Sequence, residues 1–435
     1  MNMSKRFRTI LACIGALVTA PAAGQSLDVH AGRLIDPGSG EVLNDRRIRI
    51  ADGRIVAVTP WTQEQGTGPI VDWSGYTVLP GLIDLHTHIA DGYGTTKDPT
   101  EPLKDSEAGT ILKAVANARV MLRAGFTTIR DVGVYRGLTD VALRDAIEAG
   151  EVEGPRMVVA GGYITVPGGG GDIGGLAPEL PIPPAFHLGL VRNPDEARDR
   201  ARFFLNGGAD FIKLIATGAI LKFRGVPGSL ELTEAEMKAA CDEAKLRGSY
   251  CIAHAHGADG IKAAIRAGAR TIEHASFIDA EGIAMAKARG VWLDMDLYDR
   301  VWIEEQGVKD GWPKPYVEKN RLARDSQRRG FAAALKAGAK LGFGTDAGVY
   351  PFGLGARQFA YMVRFGMTPM QAIQSATSEA ARALDRDGEV GTVRAGAFGD
   401  LIAVKGDPLS DIAVLEQVEG VIKGGQVVKQ APIGN

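Results

Sequence analysis

The middle of the chain repeats one unit, an apolar strand followed by a loop and an amphipathic helix, and this repeat limits the possible folds most strongly. Helical periodicity is clear at residues 106–125 and 233–248. Eight such strands alternating with helices predict an α/β fold, a (β/α)8 TIM-like barrel whose active site lies at the carboxyl ends of the strands. The predicted strands end near His88, Asp131, Gly162, Ile215, His254, His274, Asp296 and Asp346.

The two flanks of this repeat have a different pattern. Residues 27–79 and 390–430 alternate apolar and polar residues in short runs broken by Gly, Asp and Pro. This pattern is typical of short strands, and in the first flank it predicts antiparallel pairing. We expect the flanks to join as one small β-sandwich beside the barrel. The predicted division is a signal peptide at 1–24, sandwich parts at 25–79 and 386–435, and the barrel at 80–385.

The first 24 residues are typical of a secretory signal peptide. Basic residues within 5–8 precede an apolar run and small residues near Gly24. We therefore expect cleavage near Gly24 and a periplasmic or secreted protein. Cys13 does not indicate a lipoprotein, because it precedes most of the apolar run.

The charge and hydropathy of the chain bear on its partners. No later stretch approaches the roughly 18 apolar residues of a membrane-spanning helix. A formal net charge of −2 gives no sign of binding to nucleic acid or to an anionic membrane. We expect a small-molecule partner instead.

Two cysteines remain after the predicted signal peptide. Cys241 lies on a helical pattern and Cys251 on a strand pattern. The chain lacks the cysteine density of a disulfide-stapled scaffold, so we expect two buried thiols rather than a bridge.

Histidines close three of the predicted strands. The segment GLIDLHTHIA, residues 81–90, places His86 and His88 on one strand face, where they can bind one metal ion. His254, in YCIAHAHG, and His274, in ARTIEHAS, close the fifth and sixth strands. Taken alone, each of these histidines is more often an ordinary core histidine than a metal ligand.

A lysine and an aspartate complete the pattern. Lys213, in ADFIKLIATG, is a lone cation in an apolar strand, so it must be paired, neutral or modified unless it reaches solvent. Asp346, in KLGFGTDAG, closes the eighth strand, where capping of the next helix is the simpler role. Four histidines, a lysine and an aspartate at the ends of five strands together predict a catalytic metal centre.

Together these residues resemble the amidohydrolase superfamily, over nearly the whole chain after residue 24. The similarity is greatest to the imidazolonepropionase-like prolidase and carboxypeptidase branch, which includes ochratoxin-degrading amidohydrolases. The resemblance implies two divalent metal ions, with Zn²⁺ expected, and a carbamate formed from carbon dioxide on a lysine. The implied ligands are His86 and His88 on the more buried ion, His254 and His274 on the more exposed ion, carbamylated Lys213 between the ions, and Asp346 on the buried ion.

The implied chemistry accounts for each residue type. Neutral imidazoles suit a borderline-soft divalent ion, and a carbamate removes the charge problem of Lys213. Two metal ions acidify a bridging water and polarise the scissile carbonyl. Asp346 then takes the proton of the attacking hydroxide and passes it to the departing amine.

The resemblance implies hydrolysis of the amide bond between an acyl or aminoacyl group and a C-terminal amino acid. Dipeptides, N-acyl amino acids and ochratoxin A are the candidate substrates, and a homo-oligomer is expected by analogy. A cyclic amidase or lactonase shares the same metal centre and stays an alternative. A mononuclear deaminase is disfavoured, because such enzymes lack the lysine and carry a glutamate where this chain has Gly257. A non-catalytic exported barrel that binds metal or ligand is a distant alternative, against which Lys213 and Asp346 both weigh.

Residues near the strand ends predict the substrate contacts. His256 lies two residues after His254 on the same strand face, so it is a candidate catalytic residue that reaches the substrate carbonyl or carboxylate, and a structural role fits it equally. Tyr163, His187 and Arg224 lie on or after the third and fourth strands and are candidates for binding a terminal carboxylate.

Other features concern the shape of the pocket. Relatives carry a His-Gly pair shortly after the eighth-strand aspartate, whereas this chain has Phe352, which predicts a more apolar pocket. The glycine-rich residues 166–175 lack the strand-to-helix setting of a phosphate loop, and we interpret them as a flexible lid. Several aromatic residues near the seventh and eighth strand ends suit a bulky aromatic substrate group, although core packing is their commoner role: Trp292, Tyr298, Trp302 and Tyr350.

Overall fold

The computed structural model describes residues 26–62, 68–91, 98, 100–174, 176–177 and 179–432. The predicted signal peptide, residues 1–24, lies outside the described residues. Within the described ranges, no helix is both long enough and apolar enough to span a membrane.

Strands and helices alternate through the middle of the chain. The strands are β1 (Ser26–Asp36), β2 (Glu41–Ala51), β3 (Arg54–Pro60), β4 (Ile70–Pro80), β5 (Leu82–Thr87), β6 (Phe126–Asp131), β7 (Arg156–Val159), β8 (Tyr163–Ile164), β9 (Ile212–Ile215), β10 (Cys251–Ala255), β11 (Thr271–His274), β12 (Trp292–Asp294), β13 (Lys340–Gly342), β14 (Leu401–Val404), β15 (Val418–Lys423) and β16 (Gln426–Lys429). The α-helices are α1 (Glu107–Arg123), α2 (Thr139–Glu148), α3 (Pro194–Asn206), α4 (Glu234–Leu246), α5 (Ala258–Ala267), α6 (Ala280–Arg289), α7 (Asp299–Trp302), α8 (Lys314–Ala337), α9 (Gln358–Arg364), α10 (Pro369–Ser375) and α11 (Ser378–Ala383).

Both flanks contribute strands to one seven-stranded sheet, in the order β16-β15-β14-β4-β1-β2-β3. The flanks meet where β14 pairs with β4, with Leu401 opposite Pro80. The expectation of antiparallel pairing within the first flank is wrong for one pair, because β1 and β4 run parallel. Apolar alternation marks the buried face of a strand but carries no information on the direction of its neighbour.

Parallel strands form the central part of the molecule, which confirms the predicted α/β fold. They form two sheets, β5-β6-β7 and β13-β12-β11-β10-β9-β8. Hydrogen bonds join the sheets at both ends: Leu85 N donates to Phe343 O at 2.8 Å, and Asp210 N donates to Val159 O at 2.8 Å.

The strand ends agree with the prediction where an apolar run passes directly into a polar site residue. Strands β6, β9 and β11 end at the predicted residues. Strands β12 and β13 end earlier than predicted, at Asp294 and Gly342. The residues expected to close them, Asp296 and Asp346, lie in the loops that follow.

The two helices that the periodicity indicates are α1 and α4. At α1, the Ser106 side chain accepts a hydrogen bond from Gly109 N and caps the helix. At α4, Thr233 and Glu236 form a capping box, in which each side chain bonds the other residue's backbone N–H. These caps fix where the helices begin after the site-bearing loops.

The expectation of two free thiols is wrong. Cys241 in α4 and Cys251 at the start of β10 form a disulfide, with their Cα atoms 5.2 Å apart. The chain reverses between them at Gly248, whose φ of 73° lies in the left-handed region that favours glycine. This reversal brings helix and strand side by side, which the spacing of the two cysteines does not reveal.

Candidate metal centre

The predicted site residues converge on one cavity at the carboxyl ends of the parallel strands. All six predicted metal ligands and the additional histidine line it: His86, His88, Lys213, His254, His256, His274 and Asp346. These side chains come from β5, β9, β10 and β11, from the residues that directly follow β5 and β10, and from the loop after β13.

The first donor group combines two histidines with the aspartate. Oδ1 of Asp346 lies 3.5 Å from Nε2 of His86 and 3.3 Å from Nε2 of His88. The other ring nitrogens are held from behind, since His86 Nδ1 is 2.8 Å from Glu273 Oε2 and His88 Nδ1 is 3.0 Å from Gly133 O. Such bonds orient a histidine so that Nε2 faces a metal ion.

The second donor group contains three histidines. His254, His256 and His274 each offer a ring nitrogen, and these atoms lie within 4.8 Å of one another. His274 Nδ1 is 2.8 Å from Asp296 Oδ1, and His256 Nδ1 is 2.8 Å from Ser276 Oγ. His254 Nε2 is buried without a hydrogen-bond partner among the described residues, a cost that a bound metal ion would remove.

Lys213 lies in β9 with only 2% of its surface exposed. Burial lowers the pKa of its ammonium to about 8, although the carboxylates of Glu273 and Asp346 oppose the shift. The neutral amine is therefore accessible near neutral pH.

The backbone is strained at two of the cavity-lining residues. His274 has a φ of 69° and Asp346 a φ of 56°, in the left-handed region that non-glycine residues rarely adopt. Backbone strain of this kind, of order 1–3 kcal/mol per residue, is found where function requires a particular geometry.

The surroundings of Asp346 also determine its pKa. Burial on its own would raise the pKa of Asp346, but a hydrogen bond with His88 and the field of His86 and His274 hold that pKa well below its ordinary value.

A buried charge network lies behind the first donor group, and the sequence reasoning did not assign it. Arg130 Nη2 donates to Glu273 Oε1 at 3.0 Å and lies 3.5 Å from Asp294 Oδ2. Arg130 Nε also donates to Leu85 O at 2.7 Å. The available signal was similar to that for Lys213, namely a charged residue inside a strand, Arg130 in FTTIRD and Glu273 in TIEH.

Of the predicted substrate contacts, Tyr163 and His256 line the cavity, and three others do not. The Tyr163 hydroxyl donates to Gly133 O at 2.9 Å and lies 3.0 Å from His88 Nδ1. His187 is partly exposed, with Nε2 3.7 Å from Asp172 Oδ1, and Arg224 is exposed on a loop. Phe352 packs into the apolar core.

The aromatic side chains of the cavity wall are not those near the last two strand ends, which take their commoner role in the core. Tyr135, Tyr163 and Tyr316 line the cavity, whereas the four aromatics expected near the last strand ends pack in or against the core. The glycine-rich segment interpreted as a lid forms one wall through residues 170–174, and Gly170 N donates to Glu231 Oε2 at 2.8 Å.

The donor set fits divalent metal ions. Imidazole nitrogens together with a carboxylate are the ligands preferred by Zn²⁺ and similar ions. The orphaned nitrogen of His254 and the hydrogen bonds behind His86, His88 and His274 are the features expected of a metal site.

Histidines and a carboxylate converge on a cavity at the ends of parallel strands. This arrangement is typical of a metal-dependent α/β enzyme. The chain belongs to the amidohydrolase family, which residues 77–428 match. It is a hydrolase that acts on C–N bonds. The resemblance seen in its motifs is thereby confirmed.

Sequence and structure alignments with known proteins cover most or all of the chain. An ochratoxinase of Aspergillus niger is 29% identical, over 100% of this chain and 91% of the relative. An imidazolonepropionase of Streptomyces coelicolor is 27% identical, over 84% of this chain and 88% of the relative. The solved structure of a Xaa-Pro dipeptidase with bound methionine in the active site is 35% identical, with a TM-score of 0.86 over 93% of this chain and 99% of that one.

Proposed function

We propose that this chain is an exported, binuclear metal-dependent amidohydrolase that releases the C-terminal amino acid from dipeptides, N-acyl amino acids or ochratoxin A. The observation that carries the proposal is that the predicted ligands lie together in one cavity with buried Lys213: His86, His88, His254, His274 and Asp346. The similarity to an ochratoxinase and to a Xaa-Pro dipeptidase supports an amide substrate.

The proposal includes a complete (β/α)8 barrel over residues 80–385, with the flanks 25–79 and 386–435 as a second unit. The hydrogen bonds from Leu85 to Phe343 and from Asp210 to Val159 support it, because they join the two parallel sheets at both ends. A barrel brings the ends of β5 and β13 together, as the contact of His86 with Asp346 requires.

Two Zn²⁺ ions held by these residues would supply an acidified water and polarise the scissile carbonyl. The lowered pKa of Lys213 supports carbamate formation, since only the neutral amine reacts with carbon dioxide. As a carbamate, Lys213 would carry an anionic oxygen for each ion and would leave no buried ammonium.

The remaining steps belong to side chains of the chain itself. Asp346 accepts the proton of the attacking water and donates it to the departing amine. His256 faces the same cavity and orients the substrate carbonyl, and Tyr163 supports His88 through its hydroxyl group.

Export is proposed from the signal-like first 24 residues. The disulfide between Cys241 and Cys251 supports an oxidising compartment such as the periplasm or the extracellular medium. By analogy with the family we also propose a homo-oligomer.

The test is a substrate panel. The purified protein, loaded with Zn²⁺ and bicarbonate, is incubated with dipeptides, N-acyl amino acids, ochratoxin A, lactones and cyclic amides, and products are followed by mass spectrometry. We expect release of a free C-terminal amino acid, and loss of that release and of bound metal in Lys213→Ala but not in Lys309→Ala, which removes an exposed lysine.

Other products point to the alternatives. Ring opening without release of an amino acid would favour the cyclic amidase or lactonase. A metal-loaded protein inert toward every substrate would favour a non-catalytic binding barrel. Full activity of Lys213→Ala would contradict the carbamate role.

A further inference from the structure

One cation of the cavity is not used by the proposed metal chemistry. Among the described residues, the lysines and arginines that line the cavity are Lys213, Lys222 and Arg300. Lys213 belongs to the metal centre, and Arg300 Nη2 is paired with Asp296 at 2.9 Å and Asp299 at 3.4 Å. Lys222 remains.

The Lys222 ammonium has more hydrogen-bond donors than its described neighbours accept. Its Nζ donates to the backbone carbonyl of Asp172, and no described carboxylate forms an ion pair with it. An ammonium has three donors, and burying one without an anion is costly. Burial accordingly lowers the pKa of Lys222, although Asp172 and Glu231 act in the opposite direction.

The surrounding chain fixes Lys222 in place. It lies in the loop after β9, where Lys319 Nζ donates to the Lys222 carbonyl at 2.7 Å. Gly174 lies opposite its side chain, and a Cβ there would be 3.2 Å from Lys222 Cε and 3.3 Å from Nζ. The glycine therefore leaves the ammonium room that a larger residue would take.

Apolar side chains line the cavity around this ammonium. Ile173, Ile220 and Leu221 belong to the same two loops as Gly174 and Lys222, and all of them line the cavity with the histidines. A positive group beside an apolar wall matches an amino acid with a free carboxylate and an apolar side chain.

We propose that Lys222 binds the α-carboxylate of the substrate's C-terminal amino acid and so restricts the enzyme to substrates with a free carboxyl terminus. This inference rests on the proposed function and adds a specificity residue to it. It also replaces His187 and Arg224 as candidates for the carboxylate contact, since neither of them lines the cavity.

The kinetic test compares an acid with its amide. N-acetyl-L-phenylalanine and N-acetyl-L-phenylalaninamide are offered to the Zn²⁺-loaded wild type, Lys222→Met, Lys222→Arg and the exposed-lysine control Lys309→Met. Loss of a charge-assisted hydrogen bond predicts a KM for the acid that is about 10- to 100-fold higher in Lys222→Met. We expect kcat for the acid and KM for the amide to stay within about threefold, and Lys222→Arg to restore part of the discrimination.

A binding measurement separates this proposal from the proposed function. Calorimetry on the same proteins compares L-phenylalanine with L-phenylalaninamide. If the wild type releases an amino acid but the acid-to-amide ratio of KM is unchanged in Lys222→Met, the Lys222 assignment is overturned and the proposed function stands. If the wild type releases none, the proposed function fails, and the calorimetry decides for Lys222: at least about tenfold weaker binding of L-phenylalanine in Lys222→Met supports it, and equal binding overturns it.

Discussion

Asp346 is placed so that one carboxylate oxygen faces two histidines. The distances from its Oδ1 to Nε2 of His86 and His88 are 3.5 and 3.3 Å. The residue therefore has two separable properties, a ligand oxygen and a titratable proton acceptor. An asparagine keeps an oxygen at this position and loses the proton acceptor.

We expect Asp346→Asn to bind substrate with a KM within about threefold of wild type and to lower kcat by about 10²- to 10⁴-fold, because general acid–base catalysis is lost. Steady-state kinetics, with metal content measured on the same samples, check this. A wild-type kcat in a variant with full metal content would exclude Asp346 as the proton carrier.

Glu273 connects the metal-facing histidine to the buried arginine. Its Oε2 accepts from His86 Nδ1 at 2.8 Å, and its Oε1 accepts from Arg130 Nη2 at 3.0 Å. We expect Glu273→Gln to weaken metal binding by about 10- to 100-fold, since the orientation and basicity of His86 depend on this carboxylate.

Chelator competition measures the effect of Glu273→Gln. The matched control is Glu281→Gln, which removes an exposed carboxylate paired with Lys262. Equal chelator resistance of the two variants would show that His86 is oriented without Glu273.

At the level of strands and helices, the sequence predicted what local patterns encode. An apolar run that closes directly with a polar residue located the ends of β6, β9 and β11, and periodicity located α1 and α4. The roles of Arg130, Glu273 and Asp294 were not predicted from the sequence, because each residue's partners lie on a different strand. These residues lie on β6, β11 and β12, respectively, and only the folded structure brings them together. The disulfide was missed for the same reason, since the contact of α4 with β10 is tertiary.

The disulfide makes α4 and β10 one covalent unit that carries His254. Replacing both cysteines, Cys241→Ala with Cys251→Ala, should lower the free energy of unfolding by about 3 kcal/mol, the chain-entropy value for a loop of this size. Urea denaturation checks this, with reduced wild type as the matched control. We expect kcat/KM at 25 °C to be unchanged, and a double variant as stable as the oxidised wild type would contradict the stabilising role.

On the scale of the whole molecule, the flank sheet has an apolar core that is separate from that of the parallel strands. Trp73 in β4 is fully buried in the flank core, and a Cβ added at Gly420 in β15 would lie 2.6 Å from its Cζ2. The indole thus joins strands from the two ends of the chain.

We expect Trp73→Ala to destabilise the protein by about 3–5 kcal/mol, the usual cost of truncating a buried tryptophan, and Trp73→Phe to cost less. Metal content per folded molecule should not change in either variant, because the cavity lies in the other core. Thermal unfolding and metal analysis of the soluble fraction check both statements. Normal stability of Trp73→Ala would contradict the packing role of the indole. Reduced metal content per folded molecule would show that the two cores are not separate.

The pairing of β4 with β14 has a consequence for biosynthesis. Strand β4 is made early, yet its partner Leu401–Val404 leaves the ribosome only after every parallel strand has been translated. Until then one edge of β4 is open, and an open edge invites pairing with a strand of another chain. We therefore expect the nascent polypeptide to need chaperone protection for most of its synthesis, and a product truncated before residue 401 to be prone to aggregation.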